Sequence, residues 1–166
     1  MKKIAIFGNS GAGKSTLAKQ LAESNGLKSF DLDTVAWQPS IPPQRMPFED
    51  SRAEIDRFMS LNESWVIEGC YSDLLELVLP QSNQLIYLNL PIEVCIANAK
   101  KRPWEAHKYE SKEAQDANLN MLVDWIAQYV QRDDTFSQSS HEKLFEAYSG
   151  KKIMLTSNEA SRNIFN

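Results

Sequence analysis

The chain has 166 residues, 42% of them hydrophobic and 24% charged, with a net charge of -4, the profile of one globular domain that can bury about 70% of its unfolded surface. Its acidic balance gives no support to general nucleic-acid binding, and no apolar run approaches a membrane span. Cys70 and Cys95 show neither metal-type spacing nor a disulfide framework, so they read as reduced core thiols of a cytoplasmic protein.

The apolar run Ile4-Ala5-Ile6-Phe7 is too short for a secretory leader and reads as a buried parallel strand. Gly8-Asn9-Ser10-Gly11-Ala12-Gly13-Lys14-Ser15-Thr16 follows in the pattern G-x-x-x-x-G-K-S, and Leu17 to Ala22 takes up helical spacing. Such glycines let consecutive backbone N–H groups turn inward around an anion. Lys14 then sets an ammonium on β- and γ-phosphate oxygens, and the Ser15 hydroxyl suits Mg²⁺. The helix start points its positive dipole end at the same phosphates. Strand, loop and helix together make a phosphate loop of the Walker A kind.

Asn25-Gly26 stops the first helix, and Leu27 to Asp33 reads as a second strand ending in Phe30-Asp31-Leu32-Asp33. The prolines between residues 34 and 47 exclude a helix or central strand and predict an ordered flap carrying Trp37 and Arg45. Phe48 to Leu61 is amphipathic, so residues 34–62 pair a flap with a helix. Trp65-Val66-Ile67 is a third strand closing in Glu68-Gly69, and a helical stretch from Asp73 to Leu79 leads to a fourth strand, Gln84 to Asn89. Pro91 opens the next helix and Pro103 ends it. Within residues 104–132, apolar side chains from Ala114 to Val130 recur at three- and four-residue steps and predict an amphipathic helix ending near Arg132. A helix from Ser139 to Tyr148, a fifth strand from Lys152 to Leu155 and a final helix from Ser157 to Phe165 complete the chain. This alternation implies a single α/β domain over residues 1–166, three layers around a five-stranded parallel sheet, with ligands at the carboxyl ends of the strands.

Those ends carry the chemistry. The first strand runs into the phosphate loop, the second ends in Asp31 and Asp33, and the third in Glu68-Gly69-Cys70-Tyr71. Phosphoryl transfer needs a positioned acceptor, a held Mg²⁺ and charge neutralised on the moving group. Asp33 is the candidate to bind or deprotonate an acceptor, Asp31 and Glu68 are candidates for the Mg²⁺ water shell, and Trp37, Gly69 and Tyr71 are candidates to border the acceptor. Cys70 could line the same pocket, but the sequence identifies no base to make it a nucleophile. His107 and His141 have no partner at metal-ligand spacing. The reading is phosphoryl transfer from Mg-ATP to a small-molecule or nucleotide acceptor.

These residues resemble the P-loop small-molecule and nucleotide kinases, and within them the bacterial adenylate-kinase-related or DNA topology modulation (FlaR-type) proteins. The resemblance spans nearly the whole chain. It is carried by the phosphate loop, Leu32-Asp33 to Trp37, Trp65 to Ser72, and Leu88-Asn89-Leu90-Pro91 before a basic helix end. Phe30-Asp31-Leu32-Asp33 is also similar to the two-aspartate motif of shikimate-type kinases. The resemblance implies an arginine-bearing lid over residues 102–132, with Arg102 beside the adenine or triphosphate and Arg132 swinging toward the transferred phosphoryl group. No glycine falls between Gly69 and Gly150, so the lid is expected to be helical, and Lys100, Lys101, Lys108 and Lys112 read as solvated helix-end cations.

The chain also departs from adenylate kinases, whose T-G-D-M-L-R and D-G-F-P-R segments are replaced by Phe30-Asp31-Leu32-Asp33-Thr34 and Glu68-Gly69-Cys70-Tyr71-Ser72. The arginines that clamp an acceptor monophosphate are missing from both places. A hydroxyl-bearing small molecule or a different nucleotide is therefore equally allowed, and Arg45 or Arg52 could substitute as the clamp. The family label carries an alternative, an ATP-binding or ATP-hydrolysing regulatory module without an acceptor that acts on DNA supercoiling. The acidic balance argues against it.

Overall fold

Ile4, Ala5, Ile6 and Phe7 are all buried, as a strand covered on both faces requires. They form β1 (Lys3–Gly8) at the centre of a five-stranded, all-parallel sheet in the computed structural model, which describes residues 1–165. The sheet runs β2 (Lys28–Asp31), β3 (Trp65–Gly69), β1, β4 (Gln84–Leu88), β5 (Lys151–Leu155). Phe7 pairs with Gly69, and Asp31 with Glu68, so the ends of β1, β2 and β3 lie level at one edge.

Side chains alternate across a strand, and the two faces collect different helices. Ile4, Ile6, Val66 and Ile86 pack with Leu17 and Leu21 of α1 (Lys14–Asn25), Cys95 of α5 (Ile92–Lys101) and Ile126 of α6 (Lys112–Ala127). Ala5, Phe7, Ile67 and Tyr87 pack with Ile55 and Met59 of α3 (Phe48–Leu61), Leu74 and Leu75 of α4 (Ser72–Val78) and Leu144 of α7 (Gln138–Ala147). The three-layer α/β expectation holds. A single-turn helix, α2 (Asp33–Ala36), and a short C-terminal one, α8 (Asn158–Arg162), complete the set. Among the described residues no helix is long and apolar enough to cross a membrane.

A buried polar chain braces the end of β3. The Tyr87 hydroxyl lies 2.9 Å from that of Tyr129, which lies 2.8 Å from His141 Nδ1, while His141 Nε2 lies 2.8 Å from the Cys70 carbonyl. Because a carbonyl can only accept, Nε2 carries the proton and Tyr129 donates to Nδ1. Burial pushes His141 down to about 4, so the ring is neutral and the arrangement is fixed.

Three expectations need correction. The second strand stops at Asp31 rather than Asp33, because the Leu32 N–H makes the last sheet bond to the Glu68 carbonyl and Asp31 Oδ1 then accepts the Asp33 N–H at 2.9 Å. That side-chain turn starts α2 ahead of the prolines. The long helix ends at Ala127 rather than near Arg132, because the Tyr129 carbonyl accepts instead from the Gln138 N–H and residues 128–131 form turns. Its apolar period also overstates the buried face, since Met121 and Val130 are exposed. Lastly, the lid is only partly helical: residues 102–111 follow Arg102 and Pro103 without regular structure, since Pro103 removes a donor that a continued helix needs.

Candidate functional site

The phosphate loop keeps its shape through glycine and two carboxamides. Gly11 and Gly13 have φ of 78° and 91°, a left-handed region that side chains rarely adopt. A Cβ on Gly11 would also strike the Cys95 carbonyl, and one on Gly13 would lie 2.9 Å from Asn158 Nδ2. Asn98 Nδ2 donates to the Gly11 carbonyl at 2.8 Å and Asn158 Nδ2 to the Ala12 carbonyl at 3.1 Å. The loop is thus held from α5 and α8. Lys14 Nζ donates to the Asn9 carbonyl at 2.7 Å, and Ser15 Oγ to Glu68 Oε1 at 2.8 Å. Asn9 is buried and donates to the Ile126 carbonyl, leaving its Oδ1 unpartnered. Thr16 is exposed on the first turn of α1, and Ser10 is partly buried.

Beside the loop, the level strand ends bring Asp31, Asp33 and Glu68 together. Glu68 is 3% exposed, and burial, reinforced by Asp31, pushes its carboxyl up to about 8. Burial and the neighbouring Asp33 raise Asp31 as well. Burial would do the same to Asp33, yet Asp33 is held below the usual carboxylate range by Lys108, with help from Tyr71. The Tyr71 hydroxyl donates to Asp33 Oδ1 and itself accepts from Trp37 Nε1 at 2.8 Å. Lys108 Nζ sits 2.8 Å from Asp33 Oδ2, 3.7 Å from Asp31 Oδ2 and 3.4 Å from Glu105 Oε2. Reading Lys108 as a solvated cation is therefore wrong, for its side chain is only 23% exposed and faces the carboxylates.

Aromatic rings cluster beside Asp33. Phe136 contacts Tyr71 and Trp125 at centroid distances of 5.3 and 5.4 Å and lies parallel to Trp37 at 6.5 Å. Arg45 stands 5.1 Å from the Tyr71 ring centre and pairs with Asp73 at 2.9 Å, whereas Arg52 lies half-exposed against Asp56. The Arg132 guanidinium lies 4.1 Å over Trp125, donates from Nη1 to the Trp125 carbonyl at 2.7 Å and faces Asp134 at 3.4 Å, while its buried Nη2 has no partner. Arg102 pairs with Glu105 at 3.2 Å just past α5. Leu32 covers Gly69 so closely that a Cβ there would come within 2.8 Å of it. Burial pushes the Cys70 thiol up to about 12, which leaves it inert.

The structure thus gathers Lys14, Ser15, Asp31, Asp33, Glu68, Trp37 and Tyr71. Sequence reasoning missed Lys108, Phe136, Asn98 and Asn158, which sit in no motif or telling period, and it read Trp125 only as part of an amphipathic helix face. The donors present suit a divalent cation, since the Ser15 hydroxyl already meets a buried carboxyl that a cation would let ionise. Among the described residues no three His, Cys, Asp or Glu side chains are grouped so that they alone could hold a metal ion. Mg²⁺ would accordingly be held by Ser15, Glu68 and Asp31 with water and phosphate oxygens completing its shell.

The buried Glu68 has a consequence for the ligand-free protein. Its folded-state value lies above its unfolded one, so the folded state binds the proton more tightly, and stability falls as pH rises from 4.5 to about 8. Urea unfolding across that window is expected to show the wild type losing on the order of 3 kcal/mol more than Glu68→Gln. Parallel curves for the two proteins would contradict this assignment.

A parallel sheet ordered 2-3-1-4-5, with a Gly-Lys-Ser loop between its central strand and a helix, defines a P-loop nucleotide-binding fold. The chain belongs to the AAA domain family, whose model matches residues 4–118. Its fold is that of P-loop kinases. An unliganded sugar kinase from Janibacter sp. superposes with a TM-score of 0.56 at 14% identity, over 99% of this chain and 92% of that one. A shikimate kinase from Acinetobacter baumannii in complex with shikimate gives 0.54 at 17% identity, over 99% and 91%. No curated protein matches the chain in sequence.

Proposed function

We propose that the protein transfers the γ-phosphoryl group of Mg-ATP to a small-molecule or nucleotide acceptor. The observation that carries this reading is the meeting, at one sheet edge, of a phosphate loop and a carboxylate, Asp33, that is oriented by Tyr71 and Trp37. A nucleotide-binding switch has no use for such an acceptor pocket. Gly8 to Thr16 cradle the phosphates, Lys14 neutralises the β- and γ-oxygens, and Trp37, Gly69 and Tyr71 border the acceptor. Bound Mg²⁺ would supply further charge neutralisation at Ser15, Glu68 and Asp31. The unpartnered Nη2 of Arg132 supports a place for that side chain on the transferred group, while Arg102 would have to part from Glu105 to reach the nucleotide.

For a hydroxyl acceptor, its oxygen bonds to the γ-phosphorus as the bond to the bridging oxygen breaks. ADP leaves with that oxygen, and the hydroxyl proton passes to Asp33. Asp33, held in place by the Tyr71 hydroxyl, orients the acceptor hydroxyl and takes its proton late, which suits a loose transition state. Within the P-loop kinases, the likeness to the adenylate-kinase-related group supports a nucleotide among the acceptors.

The test is ADP release from ATP and Mg²⁺ across nucleoside monophosphates, nucleosides and small hydroxylated metabolites. At least one acceptor is expected to raise release tenfold or more over the acceptor-free rate. Tight ATP binding with no acceptor stimulating turnover would favour the regulatory-module alternative instead.

A further inference from the structure

Residues 102–111 reach the sheet edge through one side chain. Arg102 is spent on Glu105, Lys112 pairs with Asp116 on the exposed face of α6, and Lys108 alone among these three cations meets the carboxylates at the strand ends. Both Asp33 oxygens are then engaged, Oδ1 by Tyr71 and Oδ2 by Lys108. Three partly or wholly buried carboxyls at this edge need a counter-charge, and in the ligand-free protein the chain supplies one itself.

We propose that Lys108 is a latch, its ammonium holding residues 102–111 closed over Asp31 and Asp33 and giving way when a divalent cation or an acceptor takes those carboxylates. The latch is a regulation of the site read above as a kinase centre, and its physiological meaning rests on that reading. Asp31 and Asp33 face α2, the end of β3 and the 102–111 segment, so a ligand entering between the phosphate loop and Tyr71 must contend with the ammonium. With side chains 23% and 35% exposed, the Lys108–Asp33 pair is open enough to water to be broken without unfolding the domain. Burial works against the Lys108 charge, but Asp33 and Asp31 outweigh it and raise the ammonium above the ordinary lysine range, as a resident counter-ion requires. Glu105, within 3.4 Å, gives the released ammonium a partner on its own segment.

The experiment combines amide hydrogen exchange with Mn²⁺ binding measured by electron paramagnetic resonance on the full chain, with metal alone and no nucleotide. Lys108→Met and Asp33→Asn are each expected to speed exchange across residues 102–111 about five- to tenfold while β1 and β3 stay protected, and the double variant should add nothing further. Lys108→Arg, which keeps a cation, should retain slow exchange. Lys108→Met should also bind Mn²⁺ about five- to tenfold more tightly than the wild type, because no internal cation has to be displaced. Unchanged exchange in both single variants, or equal Mn²⁺ affinity in Lys108→Met and wild type, overturns the latch. A failed kinase reading would show instead as absent acceptor-stimulated turnover, with the exchange and Mn²⁺ differences intact.

Discussion

Lys14→Ala is expected to lower acceptor-dependent turnover on the order of a thousandfold, the loss typical of deleting one preorganised charge from a transition state. The Lys14 ammonium is already poised, bonded to the Asn9 carbonyl of its own loop at 2.7 Å, and its helix begins at the loop's last glycine. Turning it onto phosphate oxygens exchanges one acceptor for a more strongly charged one. Alanine leaves the glycine geometry and the Asn98 and Asn158 bonds untouched, so circular dichroism should show an intact fold. Lys14 also acts to lower Glu68, and its loss should push that carboxyl higher still. Turnover within tenfold of wild type would remove the phosphate loop from the chemistry.

Asp33→Asn should reduce kcat on the order of a hundredfold or more while leaving ATP affinity unchanged. Asparagine has nearly the same volume and its side-chain oxygen can still accept from Tyr71, so the Trp37–Tyr71 chain survives. It loses the negative charge that orients an acceptor hydroxyl. The split between an altered kcat and an unaltered ATP affinity, measured by ADP release and titration calorimetry, separates an acceptor-side role from a nucleotide-side one. Equal losses in both would place Asp33 in the metal shell beside Asp31.

Contiguity decided what could be read from the chain. The phosphate loop is nine adjacent residues whose types follow from backbone geometry, and α3 runs from Phe48 to Leu61 as its amphipathic period predicts. The run Trp65 to Gly69 is buried throughout and paired on both sides. Features set by distant groups were hidden. Asp33 leaves the strand because Asp31 turns back on its N–H, and Phe136 gains meaning only from rings at positions 37, 71 and 125. Lys108 looked like three other lysines of its neighbourhood. What sets it apart is a carboxylate 75 residues earlier, which no local pattern reports.

The Asn158 carboxamide bond to the Ala12 carbonyl ties the phosphate loop to α8, some 146 residues further along the chain. During synthesis, a ribosome-bound chain that lacks β5 and α8 would carry the glycine loop without that brace. An emerging chain would therefore gain the fully braced form of this loop only after α8 has been made and has packed beside it.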